Sequence, residues 1–234
     1  MADVKIVGTI ALKGVLAEYE PQFRKETGAG FSHIWGPTGT VFERCRAGDA
    51  LDLVIAVPDA VDTLVAEGHV VKSTRADVAK SVVGIAVKAG APKPKIDTVE
   101  DVKAALRNAK SVTYTDPATQ AASGVHVAKL LADWGMTAEI NAKTKFGRGG
   151  PVAEYLVTGE AEIALQQFCE HMLVKGVDIV GAIPKEIQRV STFSLGIGTR
   201  AQNPEGARKL IAWLAAPAQH PTLRRHGLFA MHEV

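Results

Sequence analysis

The sequence predicts an α/β protein whose strands are mostly parallel. Three observations carry that prediction. Short apolar runs alternate with stretches whose apolar residues recur at helical spacing. Residues 51–57 are apolar apart from Asp52, the pattern of a strand covered on both faces. Four turns, at Gly8-Thr9, Gly36–Thr40, Pro117–Ser123 and Gly147–Gly150, fall where a strand gives way to a helix.

Taken in order, Val4 to Val7 reads as a short buried strand. Leu12, Val15, Leu16, Tyr19 and Phe23 then follow at helical spacing, and Gly28 stops that helix. Phe31 to Trp35 is a second strand. Thr40 and Glu43 have the spacing of a capping box, which predicts a helix starting at Thr40. After the 51–57 strand, Asp59 is placed to cap a short helix carrying Val61, Leu64 and Val65, closed by Gly68. Val82 to Val87 is a strand, residues 89–94 a Pro/Gly loop, and Thr98 with Asp101 starts the next helix. Ser111 to Tyr114 is a strand ending in Thr115-Asp116-Pro117. Ser123-Gly124 opens a helix with Val127, Leu130, Leu131 and Trp134 as its stripe. Pro151 suits a first helical residue, and that helix closes at Gly159. Ile163 to Leu165, Asp178 to Val180 and Val190 to Ile197 are strands. Asn203-Pro204 caps a penultimate helix, and a last one runs from Pro217 towards Gly227.

At 234 residues the chain holds one large domain or two small ones. Its net charge of +2, without any Lys/Arg run, argues against nucleic acid as a partner. No apolar stretch is long enough to span a membrane. The N-terminus enters a strand directly, without a signal sequence; this predicts a cytoplasmic protein, or a periplasmic one if a leader has been removed. Cys45 and Cys169 are isolated and read as packed free thiols; no metal-ligand spacing and no cofactor motif are present.

The site residues follow from the turns. Gly36 and Gly39 let the backbone approach a ligand closely, and a helix start offers unpaired N–H groups and a positive dipole end to an anion. Thr9, Thr38 and Thr40 add hydroxyls, although Thr40 could serve only as a cap. Ala118, Thr119 and Ser123 can present amides after the Ser111–Tyr114 strand. Arg148, with Gly149 and Gly150 beside it, has room to reach out, and Arg75 precedes a strand; two guanidinium forks suit carboxylates. Gln166 is a candidate amide reader. His33, His126 and His171 are scattered singly, and Glu170-His171 is the one acid/histidine neighbour of interest.

This order of elements resembles the type II periplasmic binding protein fold, in its molybdate-binding-protein-like class. A closer resemblance is to the branch containing aconitate isomerase. It is carried by Arg75-Ala76-Asp77-Val78-Ala79-Lys80-Ser81, residues 84–94, Gly159-Glu160-Ala161-Glu162-Ile163 with Gln166-Gln167, and Asp178-Ile179-Val180-Gly181. The resemblance implies two lobes, residues 1–82 plus 193–234 and residues 83–192, with crossings at Val82–Val87 and Val190–Ile197. It also implies a small anionic ligand in the cleft between them, and an ABC permease as partner if the protein is exported. Serines expected in the first two turns are Thr9 and Thr38 here, and the tyrosine expected late in the second lobe has no counterpart, which argues against molybdate itself. The first reading is therefore a binder of an organic polycarboxylate or oxyanion. The alternative is an isomerase of cis- and trans-aconitate, for which Glu170, His171, Asp116 and His33 are candidate bases and none is assigned.

Overall fold

The structure, a computed structural model, describes residues 2–234. In chain order it runs β1 (Val4–Gly8), α1 (Lys13–Thr27), β2 (Phe31–Trp35), α2 (Thr38–Arg46), β3 (Leu53–Ala56), α3 (Pro58–Ala66) and β4 (Ala76–Lys88). It continues through α4 (Val99–Asn108), β5 (Val112–Thr115), α5 (Ala122–Asp133), α6 (Thr137–Asn141), β6 (Thr144–Gly147) and α7 (Glu154–Thr158). It ends with β7 (Ile163–Gln167), α8 (Phe168–His171), β8 (Val177–Ala182), β9 (Val190–Ile197), α9 (Pro204–Ala215) and α10 (His220–Arg225). The chain divides into two compact units, Met1–Lys80 with Ser191–Val234, and Ser81–Val190.

In the first unit β1 pairs in parallel with β2 and β3, and β3 pairs antiparallel with β9. Val7, Val54 and Ala56 on the strands pack with Val41 of α2 and Val61 and Leu64 of α3. Asp52, fully buried, accepts the backbone N–H groups of Lys5 at 2.7 Å and of Gln202 and Asn203 at 2.6 Å each. One carboxylate thus ties β1, β3 and the entry to α9 together, which is why this strand tolerates an acid.

In the second unit β5 lies between β6 and β7, parallel to both, while β4 pairs antiparallel with β7 and β8. Val102 and Leu106 of α4 and Val127 and Leu131 of α5 cover Tyr114 and Leu165 of the sheet. The parallel arrangement sends β5, β6 and β7 in one direction, so the turns after them emerge at one edge of this unit.

Several helix starts differ from the sequence expectation. α2 begins at Thr38 with Pro37 as its N-cap, and the Thr40–Glu43 capping box does not form. α3 begins at Pro58 with no side-chain cap; Asp59 lies in its first turn, where it complements the dipole instead. α5 begins at Ala122 rather than Ser123. Pro151 does not start α7, which begins at Glu154 after a turn. By contrast the Thr98–Asp101 capping box is present, Gly28 ends α1 in the left-handed conformation, and the Asn203 side chain accepts the N–H of Gly206 at 3.0 Å. Cys45 and Cys169 are both buried and free.

Candidate functional site

In the first unit two of the expected turns lie side by side. Gly8 and Trp35 are register partners at the ends of β1 and β2, and the Gly36 N–H donates to Gly8 O at 3.0 Å. A Cβ on Gly8 would stand 2.7 Å from Ile55 Cβ, and one on Gly36 would stand 2.7 Å from Thr40 Oγ1. Gly8 thus leaves room for β3 at Ile55, and Gly36 leaves room for Thr40 within its own turn. Thr9 donates its N–H to Ile55 O at 3.1 Å, and its hydroxyl is shielded from solvent without a hydrogen-bond partner. Thr38 and Gly39 occupy the first two positions of α2, where amides have no intrahelical acceptor. Thr40 lies deeper, its N–H donating to Pro37 O at 2.9 Å and its side chain closing over Gly36.

Trp35 is the residue that sequence reading missed. Its indole N–H is shielded and has no partner, and its register partner Gly8 directly precedes Thr9, whose hydroxyl is also orphaned. Buried polar groups are nearly always paired, so two such groups at neighbouring strand ends mark a place built for something else. The available signal was a tryptophan placed directly before the Gly36-Pro37 turn.

Arg75 is held otherwise than expected. It ion-pairs with Asp77 at 2.6 Å and with Asp62 at 2.9 Å. Ser194 donates its hydroxyl to the same Asp77 carboxylate. Burial works to raise the Asp77 pKa, but Arg75 and Ser194 outweigh it and hold it below the usual carboxylate range. Two carboxylates thus already neutralise Arg75, which weakens its pull on an incoming anion.

In the second unit the Pro117–Ser123 and Gly147–Gly150 turns are also stitched together. Asp116 donates its N–H to Gly147 O at 2.8 Å, and Arg148 Nε lies 3.2 Å from Asp116 Oδ2. Asp116 Oδ1 takes the Ala118 amide at 3.0 Å, and Thr119 gives both its amide and its hydroxyl to Asp116 O. Ala118 and Thr119 therefore shape the turn with the groups expected to face a ligand. Ser123, 3% exposed, and Gly124 stand in the first turn of α5, whose opening amides are free of intrahelical acceptors. A Cβ at Gly124 would come within 2.3 Å of Thr115 O, so this helix start presses directly on the end of β5. The Arg148 side chain is 82% exposed, and Gly149 and Gly150 have open space around them.

Gln166 was expected as a ligand reader, but its amide is fully engaged within the protein. Oε1 accepts the Val152 N–H at 2.8 Å, and Nε2 donates to Thr115 Oγ1 at 3.2 Å and Gly150 O at 3.3 Å. It fixes the glycine loop to β5.

Glu170 and His171 sit on the short α8. Burial pushes the Glu170 carboxyl up to about 8 against the lowering effect of the Gln167 backbone N–H, and its Oε2 is shielded without a partner. Burial likewise drives His171 down to about 4, outweighing its contact with Gly84 O at 3.2 Å. That carbonyl can only accept, so Nε2 carries the proton of the neutral ring and the buried, unpartnered Nδ1 is bare. Among the described residues no cluster of three His, Cys, Asp or Glu side chains is arranged to hold a metal. No helix there is long and apolar enough to cross a membrane.

The sequence profile of the bacterial extracellular solute-binding proteins matches residues 4–229. The chain is 31% identical to an aconitate isomerase of a Pseudomonas species over 234 residues, 97% of this chain and 88% of that protein. Its fold is similar to that of the Azotobacter vinelandii periplasmic molybdate-binding protein, with a TM-score of 0.79 and 16% identity over 97% of this chain and 98% of that one. It is also similar to the Mycobacterium tuberculosis sulfate-binding protein, with a TM-score of 0.76 and 18% identity over 99% and 88% of the two chains.

Proposed function

The chain belongs to the bacterial extracellular solute-binding proteins, and from that premise we propose that it binds a small anion, an organic polycarboxylate or an oxyanion. The first unit offers the amides of Thr38 and Gly39 with the hydroxyls of Thr9 and Thr38. The second offers the amides of Ser123 and Gly124, with Arg148 and Gly149 beside them. The observation that supports this reading best is the orphaned Thr9 hydroxyl together with the open first turn of α2, in a pair of turns joined by the Gly36 N–H to Gly8 O bond. Amides at a helix start give an anion directed donors and a favourable dipole without a compensating cation. The shielded, unpartnered indole N–H of Trp35 at the end of β2 adds a further donor. In this reading the protein acts outside the cytoplasm and hands its ligand to an ABC permease. Thermal-shift measurements with citrate, aconitate, tartrate, molybdate and sulfate test it, and a flat response to the whole panel refutes it.

The second reading is isomerisation of aconitate on the same scaffold, favoured by the 31% identical relative and by Glu170. Moving the double bond requires a proton to leave a carbon next to a carboxylate and to return at another. Helix-start amides would steady the enolate-like charge that develops between these steps. A carboxyl with its pKa near 8 holds a proton at neutral pH and can exchange it at modest cost. Incubation with either isomer, followed by chromatography of the other, tests this reading; absence of conversion rejects it.

A further inference from the structure

The second unit contains a cavity of about 750 Å³ that the anion-binding turns do not use. It lies at the opposite ends of the strands. Ile163 opens β7 and Val87 and Lys88 close the antiparallel β4, whereas the turns follow Thr115 and Gly147 at the other ends of β5 and β6, both parallel to β7. Val87, Ala104, Leu156 and Ile163 contribute apolar wall, and the volume is within the usual range for small-molecule sites.

The charge around this cavity is unbalanced. Of its acids, Asp101 is committed to the Thr98 capping box and faces Lys95 at 3.4 Å, and Glu162 accepts the Lys110 N–H at 2.8 Å. Of its three lysines, Lys95 is the one facing Asp101, while Lys88 and Lys93 reach only backbone carbonyls, Val157 O at 3.3 Å and Ile179 O at 3.4 Å, with no ion pair among the described residues. An apolar wall beside two ammonium groups that lack carboxylate partners is complementary to a molecule with an apolar body and one anionic head. We propose that this cavity is a second ligand site, for an amphipathic monocarboxylate. The proposal does not depend on the identity of the anion held by the turns.

Octanoate and its uncharged counterpart octanamide are suitable probes, titrated calorimetrically into the protein. The expected result is saturable octanoate binding at least tenfold tighter than octanamide binding, unchanged by saturating polycarboxylate. The double variant Lys88→Gln/Lys93→Gln alters only charged side-chain ends and should bring the two affinities within about threefold. Ala104→Trp adds bulk from the exposed side of α4 and should weaken both probes at least tenfold, with the melting temperature reporting that the fold is kept. No octanoate binding, equal affinity for both probes in the wild type, or octanoate binding indifferent to all these substitutions would overturn the proposal.

Discussion

Replacing Gln166 by leucine separates a residue that holds the site from one that touches the ligand. Gln166 is 2% exposed and makes three hydrogen bonds, to Val152 N, Thr115 Oγ1 and Gly150 O. Leucine is close in volume, so little cavity is created, but the Val152 N–H is left without an acceptor in a buried place. That orphan costs about 1–3 kcal/mol, and each lost bond to a group that can find water about 0.5–1.5 kcal/mol. The total is about 4 kcal/mol, and at roughly 2–4 °C per kcal/mol for a chain of this size the melting temperature should fall by about 8–16 °C. Scanning calorimetry measures that fall. Well below the transition, affinity for the anion should drop less than about tenfold, because in this account no ligand contact is removed. A melting temperature lowered by less than about 2 °C would refute the structural role. Abolished binding with an unchanged melting temperature would make Gln166 a direct reader after all.

The remaining predictions test the frame around the site. Gly124→Ala drives a Cβ towards Thr115 O, so it should cost about 1–3 kcal/mol and weaken anion binding, read by urea unfolding and calorimetry. Asp52→Ala leaves three backbone donors of the first unit without their acceptor and should cost roughly 3–5 kcal/mol by urea unfolding. The raised Glu170 pKa favours folding with the proton bound; that stability is complete below about 4.5 and is lost as pH rises towards about 8. The depressed His171 pKa acts oppositely, removing stability as pH falls from about 6.5 to about 4. The melting temperature should therefore decline from pH 6.5 to 8.5, and Glu170→Gln should remove most of that decline; an equal decline in the variant would contradict the assignment.

The sequence revealed what depends on periodicity and local chemistry. Alternating apolar runs gave the strand–helix order, and Gly28, Thr98-Asp101 and Asn203-Pro204 marked real helix boundaries because their signals are local. β6, α6 and α8 escaped because four or five residues are too few to show a period. The start of α2 was misplaced because Pro37, with its fixed φ and extended ψ of 168°, already ends the strand and frames the helix without help from Thr40. Long-range pairing was also invisible. Nothing near Arg75 in sequence discloses Asp62 thirteen residues earlier, and nothing in β7 discloses that Gln166 reaches Gly150. The orphaned groups of Thr9 and Trp35 emerged only once every other partner had been placed.

The most direct test of anion binding by helix-start amides is a ¹⁵N-resolved titration of the protein with trans-aconitate and with sulfate. The account predicts that the amide resonances of Thr38, Gly39, Ser123 and Gly124, with the indole N–H of Trp35, move and saturate with at least one of these anions. Lys5 and Gln202, whose amides are held by Asp52, should stay in place. Saturable binding that leaves those five signals still while others respond would contradict it.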